Sequence, residues 1–114
     1  MKSWLPVIAL LSGLGCATVE PTATHDHETR GKAVYRESCM ICHGLRGTGD
    51  GWVRFHPPVT DLTADRIKQK SDADLLATIH EGRASAAMGS WRLVLSAEDR
   101  ADVLAYIRKL QEPR

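Results

Sequence analysis

The sequence predicts an all-α protein whose helices are joined by long loops, and the pattern of capping and apolar residues carries this prediction. Ser71 and Ser96 each suit the N-cap of a helix, because each is followed three residues later by an aspartate. Behind each serine, apolar side chains recur at the spacing of one helix face. No stretch alternates convincingly between apolar and polar residues with the period of a strand. With 114 residues, the chain is expected to form one domain.

Residues 1–16 predict an export signal. A lysine supplies a positive start, and the apolar run that follows is too short for a membrane-spanning helix, which needs ~20 residues. Cleavage before Cys16 would make that cysteine the first residue, and the residues around it resemble the signal of a bacterial lipoprotein. Cleavage after Ala17 by a general signal peptidase is the alternative. Either cut predicts an exported protein, and a lipid on Cys16 would hold it at the periplasmic side of a bacterial membrane.

Residues 17–29 are polar and predict a flexible tether, so the folded domain is expected to span residues 30–114. His25 and His27 in this stretch are more typical of a solvated linker than of a metal site. A first helix is expected from about Arg30 to Ile41, and a glycine-rich loop follows it.

Three further helices are expected after that loop. A short one lies near residues 64–68, and the two longer ones follow the serine caps. The helix after Ser71 carries Leu75, Leu76 and Ile79 and ends at Gly82, and the last helix carries Val103, Tyr106, Ile107 and Leu110 and ends before Pro113.

The charge balance gives no sign of a nucleic-acid partner. The chain has 15 basic and 14 acidic residues, and loss of Lys2 with the signal would leave a formally neutral protein. No run of like charge extends beyond a few residues, so no basic patch is predicted.

The pentapeptide from Cys39 to His43 carries the chemistry. Its pattern, C-x-x-C-H, is typical of covalent attachment of a c-type haem. Residues three and four apart on a helix share a face, so Cys39, Cys42 and His43 are expected to point the same way. The two thiols can then bond to the two vinyl groups at one edge of the porphyrin, and the imidazole can bind the iron. The predicted cofactor is therefore one covalent haem c, with His43 as proximal ligand.

Three other uses of the two cysteines are less well supported. A redox pair of the thioredoxin kind follows a strand, and no strand is predicted before Cys39. A zinc site needs further ligands, and His56 and the remaining histidines have no suitable spacing. A disulfide between residues three apart on one helix has poor geometry and gives His43 no role.

With this motif, the chain from Arg30 to Leu110 resembles a class I monohaem cytochrome c. Gly31, Tyr35 and Tyr106 stand where the family crosses its terminal helices closely and packs an aromatic side chain at the crossing. Residues 57–62 resemble the segment whose backbone carbonyl accepts a hydrogen bond from the proximal histidine, with either Pro57 or Pro58 in that role. The resemblance implies the small cytochrome c fold, in which three to five helices and long loops wrap around one covalent haem.

The resemblance also implies a methionine as the sixth ligand of the iron. Met1 is lost with the signal and Met40 lies inside the attachment motif, so Met88 is left for this role. Met88 lies in an irregular segment before the last helix, where the family has its distal methionine, although the proline that usually follows is absent. His80 is a rival ligand, and filling a gap in the core is the alternative role for Met88.

Other residues around the haem are assigned only as groups. The aromatic side chains expected beside it are Trp52, Phe55 and Trp91, and the arginines that suit its propionates are Arg54, Arg83 and Arg92.

An iron held by histidine and methionine has no open position for a substrate, so the resemblance implies an electron carrier and not an enzyme. Its partners would be redox proteins that dock briefly, and the chain would be a monomer or a subunit of a redox complex. Two alternatives stay open. One is a haem-based ligand sensor with a displaceable Met88, and the other is a dedicated electron-transfer subunit of a membrane-anchored oxidoreductase.

Overall fold

The computed structural model describes residues 22–114, with side chains from residue 25 onward, and this part of the chain is helical without strands. Its helices in chain order are α1 (Thr22–Ser38), α2 (Met40–His43), α3 (Asp65–Lys68), α4 (Asp72–Glu81) and α5 (Ala97–Leu110). The predicted all-α fold class is confirmed. The export signal and the two cleavage sites at Cys16 and Ala17 lie outside the described residues. None of the helices in residues 22–114 is long and apolar enough to cross a membrane.

The start of α1 differs from the prediction. The helix begins at Thr22 rather than near Arg30, so the second half of the predicted tether is helical. Contacts with α5 account for the difference, because Arg30 Nε donates a hydrogen bond to the Asp102 carboxylate at 2.7 Å. His27 Nδ1 contacts the same carboxylate, so this histidine packs against a folded helix and does not lie in a solvated linker.

The end of α1 also differs from the prediction. The helix stops at Ser38 instead of continuing to Ile41. Cys39 interrupts the regular helix, and the short helix α2 begins at the next residue. The first helix and the pentapeptide are therefore two joined elements.

Serine side chains cap α4 and α5, as predicted. Ser71 Oγ accepts a hydrogen bond from the Asp74 N–H at 3.1 Å. Ser96 Oγ accepts one from the Asp99 N–H at 3.0 Å, and the Asp99 carboxylate accepts one from the Ser96 N–H at 3.0 Å. These bonds satisfy donors that the first turn of a helix leaves free.

The crossing of α1 and α5 forms the core. Gly31 is buried there, and a Cβ at this position would overlap the backbone carbonyl of Asp102. The rings of Tyr35 and Tyr106 meet at the crossing with a centroid separation of 5.3 Å. The buried Tyr35 hydroxyl donates to the carbonyl of Gly44 at 2.7 Å, which connects the crossing to the loop after α2. The buried aliphatic side chains packed with Tyr35 are Ile79, Leu95, Val103 and Ile107.

The carboxylate of Asp102 makes this crossing sensitive to acid. Asp102 is 1% exposed, and the hydrogen bond from Arg30 holds the pKa of its carboxyl below the ordinary value. A carboxyl with a lowered folded-state pKa stabilises the fold above the pKa of the unfolded chain, about 4, and loses that contribution as pH falls through the lower folded value. Asp102→Asn is therefore expected to lower the free energy of unfolding at neutral pH and to flatten its decrease in acid.

Urea unfolding followed by circular dichroism, at neutral pH and in steps below about pH 4, measures both effects. Glu37→Gln is a matched control because it removes an exposed carboxylate from α1, and we expect it to behave like the wild type. If the free energy of unfolding decreased in acid by the same amount in Asp102→Asn and in the wild type, this role of Asp102 would be contradicted.

Candidate functional site

The pentapeptide motif forms one helical turn at the junction of α1 and α2. The carbonyl of Cys39 accepts hydrogen bonds from the N–H groups of Cys42 at 3.2 Å and His43 at 2.9 Å. Cys39 and Cys42 are free, half-buried thiols. Their side chains and that of His43 line the same cavity, so the turn gathers the three residues that the sequence singles out.

The cavity beside this turn has a volume of about 530 Å³. Cofactor sites commonly measure several hundred Å³ and are mostly apolar with a few polar groups. The apolar residues of the wall include Leu62, Ile67, Leu75, Ile79, Trp91 and Ile107, and Met88 lies in the same wall. The cavity thus combines an apolar wall with two thiols, an imidazole and a thioether, and this lining fits a haem attached through the two thiols.

The hydrogen bond and the burial of His43 suit a histidine that binds a metal. Its Nδ1 donates a hydrogen bond to the backbone carbonyl of Thr60 at 3.1 Å, which leaves Nε2 as the nitrogen available for a metal. Burial lowers the pKa of the imidazole, although the bond to Thr60 acts in the opposite direction. The neutral form that binds iron is therefore favoured. The acceptor is the carbonyl of Thr60 and not that of Pro57 or Pro58, the two residues expected from the sequence, because the path of the loop brings Thr60 to His43.

Cys39 differs from the cysteines of redox pairs. Burial, with a smaller effect from the neighbouring Cys42, raises the pKa of its thiol to about 11. Reactive cysteines in C-x-x-C redox motifs have lowered pKa values, because the thiolate is their nucleophilic form. This buried thiol does not match that environment.

Met88 is held by the narrow neck of a loop that closes against the end of α4. The N–H of Arg83 donates to the carbonyl of Met88 at 2.9 Å, and the N–H of Trp91 donates to the carbonyl of Ile79 at 3.2 Å. Gly82 has a φ of +72°, and a Cβ there would lie 2.7 Å from the carbonyl oxygen of Met88. This neck holds the half-buried Met88 without a following proline. The sequence identifies Gly82 only as a helix stop, and its second role depends on contact with residues farther along the chain.

His80 lies apart from the cavity that holds His43 and Met88. Its Nδ1 makes a hydrogen bond with the carboxylate of the adjacent Glu81 at 2.6 Å. His80 is absent from the residues that line the cavity in the described part of the chain. Of these two candidate ligands, Met88 lines the cavity together with His43, and His80 does not.

Two of the three aromatic residues expected beside the haem line the cavity, namely Phe55 and Trp91. Trp52 does not, and 91% of its surface is exposed. The reason is that hydrogen bonds from Gly51 and Val53 to the backbone of the pentapeptide hold this segment against α2.

The structure also separates the three arginines considered for the propionates. Arg83 lines the cavity, whereas Arg54 and Arg92 are exposed side chains outside its wall. Lys70 and His56 line the cavity as well, although the sequence does not predict either of them at this site. No local sequence pattern indicates that these two residues lie at the cavity, because both belong to loops and the course of each loop brings them there.

Comparisons with known proteins identify the family to which the chain is similar. Residues 26–107 match the family model described as cytochrome c oxidase, cbb3-type, subunit III. The chain is 31% identical over 105 residues to cytochrome c55X of Paracoccus denitrificans (strain Pd 1222), a match that covers 92% of each chain. It is 33% identical over 88 residues to cytochrome c-554(547) of Halothiobacillus neapolitanus, with 71% of this chain and 93% of the relative covered.

Together with the helical fold and the cavity, these matches identify the protein as a c-type cytochrome. It is an electron-carrying haem protein, and its cofactor is covalently bound haem c. The chain belongs to the cytochrome c family whose model carries the cbb3-type subunit III description.

Proposed function

We propose that the protein passes single electrons between redox partners through a low-spin haem c bound by four of its side chains. Cys39 and Cys42 would bind the haem through thioether bonds, and His43 and Met88 would bind its iron. The observation that carries this proposal is that all four side chains line one cavity.

The surroundings of these side chains suit electron transfer. Haem c supplies an iron that gains and loses one electron. The hydrogen bond from His43 to Thr60 fixes which ring nitrogen faces the metal. The thioether of Met88 favours ferrous iron, and the apolar wall acts in the same direction because a low dielectric disfavours the additional charge of ferric iron. Because His43 and Met88 would both bind the iron, no position on it would be open to a substrate.

A second candidate is a dedicated electron-transfer subunit of a larger oxidoreductase. The description of the matching family favours it, since it names a subunit of an oxidase. The two relatives are named as cytochromes, which favours a carrier. The haem chemistry is the same in both cases, so the two candidates differ in whether the protein purifies alone or within a complex. In both cases we propose an exported protein anchored by a lipid on Cys16.

The visible absorption spectrum of the purified protein, ferric and ferrous, with and without carbon monoxide, tests the proposal. The expected result is a low-spin spectrum with a weak far-red band from sulfur bound to iron, unchanged by carbon monoxide. A high-spin ferrous form that binds carbon monoxide readily would contradict ligation by Met88 and favour the ligand sensor. Spectra of the membrane and soluble fractions test the anchor, which a haem signal in the soluble fraction alone would contradict.

A further inference from the structure

The wall of the haem cavity carries cationic side chains and no acidic ones among the described residues. Outside the pentapeptide, its ionisable side chains are His56, Lys70 and Arg83. Lys70 and Arg83 are both exposed, so they lie where the cavity meets the solvent. An apolar cavity with two cations at its edge is suited to a ligand that is apolar at its centre and anionic at its rim.

Neither of these two cations has a carboxylate partner within residues 25–114. The ion pairs in this part of the chain involve His27, Arg30, Lys68, His80, Arg108 and Lys109. Arg54 differs from Arg83 because it lies outside the wall. The hydrogen bond from Thr48 is the main cause of the lowered pKa of the Asp50 carboxyl, and the charge of Arg54 adds a smaller effect. The positive charges of Lys70 and Arg83 are therefore available to the ligand of the cavity.

The backbones of both residues are fixed by hydrogen bonds to other segments of the chain. The N–H of Arg83 donates to the carbonyl of Met88 at 2.9 Å, so Arg83 lies at the neck of the methionine loop. The carbonyl of Lys70 accepts a hydrogen bond from the Arg108 guanidinium of α5 at 2.6 Å. Two separately fixed segments thus present one cation each to the same cavity.

Haem carries two propionate carboxylates, and arginine and lysine are the side chains that bind carboxylates most strongly. Building on the haem site proposed above, we propose that Arg83 and Lys70 bind the haem propionates, whereas Arg54 and Arg92 do not. The contact at Arg83 joins the haem rim to the loop that carries Met88, so the same residue connects propionate binding to the distal ligand.

Arg83→Gln and Lys70→Gln in the haem-loaded protein test this proposal, with Arg92→Gln as the matched control. Arg92 follows the same loop and the change in charge is identical, but its side chain lies outside the cavity wall. A cation next to a carboxylate lowers its pKa by about 1–3 units. The pKa of the propionate appears in the pH dependence of the midpoint potential. In Arg83→Gln and in Lys70→Gln we expect this pKa to rise by at least about one unit, and in Arg92→Gln we expect no change.

Proton NMR of the ferrous protein provides a direct second measurement. Nuclear Overhauser contacts are expected between the propionate methylene protons and the side chains of Lys70 and Arg83. Missing contacts, or an ionisation that moves equally in Arg83→Gln and Arg92→Gln, would overturn the proposal. Covalent haem and, after oxidation to the ferric form, the far-red band are measured in the same wild-type preparation. If covalent haem and the far-red band were absent, the proposed function itself would be refuted. If both were present but the ionisation moved equally in Arg83→Gln and Arg92→Gln, only the propionate assignment would be refuted.

Discussion

Replacing both Cys39 and Cys42 by alanine is expected to abolish covalently bound haem. Both thiols are free in the part of the chain that the structure describes, and both line the same cavity as His43. Without them no thioether bond can form, so any haem left in the protein would be held by His43 and Met88 alone. Haem staining after denaturing electrophoresis measures the effect, because only covalent haem survives that treatment.

The third cysteine of the chain provides a matched control. Cys16→Ala leaves the pentapeptide intact and is expected to retain covalent haem, while each single variant, Cys39→Ala or Cys42→Ala, leaves one thioether bond and is expected to give a weaker stained band. Haem that stays on the double variant through electrophoresis would show that the attachment sites lie elsewhere.

The second large effect is expected from Gly82→Ala, which should detach Met88 from the iron. Gly82 has a φ of +72° and a ψ of −164°, a conformation that is essentially restricted to glycine and costs other residues about 1–3 kcal/mol. The added Cβ would also lie 2.7 Å from the carbonyl oxygen of Met88. The neck of the loop must therefore open. The expected result is loss of the far-red band and rapid binding of carbon monoxide to the ferrous protein.

Gly89→Ala is the matched control within the same loop. A Cβ at Gly89 would have no atom within 4 Å, so this variant is expected to keep the wild-type spectrum. Circular dichroism of both variants shows whether the helices are retained, which separates local opening of the loop from unfolding of the chain. A Gly82→Ala protein that is folded, keeps the far-red band and does not bind carbon monoxide would show that the neck does not hold Met88 on the iron.

The starts of α4 and α5 could be predicted from the sequence because their determinants are local. Ser71 and Ser96 each accept a hydrogen bond from a backbone N–H three residues later, and that spacing is visible in the chain itself. The start of α1 could not be predicted in this way. Residues 22–29 have the polar composition of a linker, and their helical structure is supported by Asp102, a residue from the other end of the chain.

Some residues of the cavity wall could likewise be predicted from the sequence, and others could not. Cys39, Cys42 and His43 come together in one turn of backbone, so their spacing alone predicts that they share a face. Phe55 and Trp52 are close in sequence and equally suited to line an apolar cavity, yet Phe55 lines it and Trp52 is exposed. Composition cannot distinguish them, because the path of the loop decides which side chain faces inward.

The all-α class, the capped helices and the pentapeptide that indicates covalent haem could be predicted from the sequence, since each depends on residues only a few positions apart. The hydrogen bond from His43 to Thr60, the contact of Gly82 with the loop of Met88, and the position of Arg83 at the cavity in preference to Arg54 or Arg92 are visible only in the folded protein. These contacts join segments far apart in the chain. Their meeting depends on how the helices and loops pack in space, and no local spacing of residues records it.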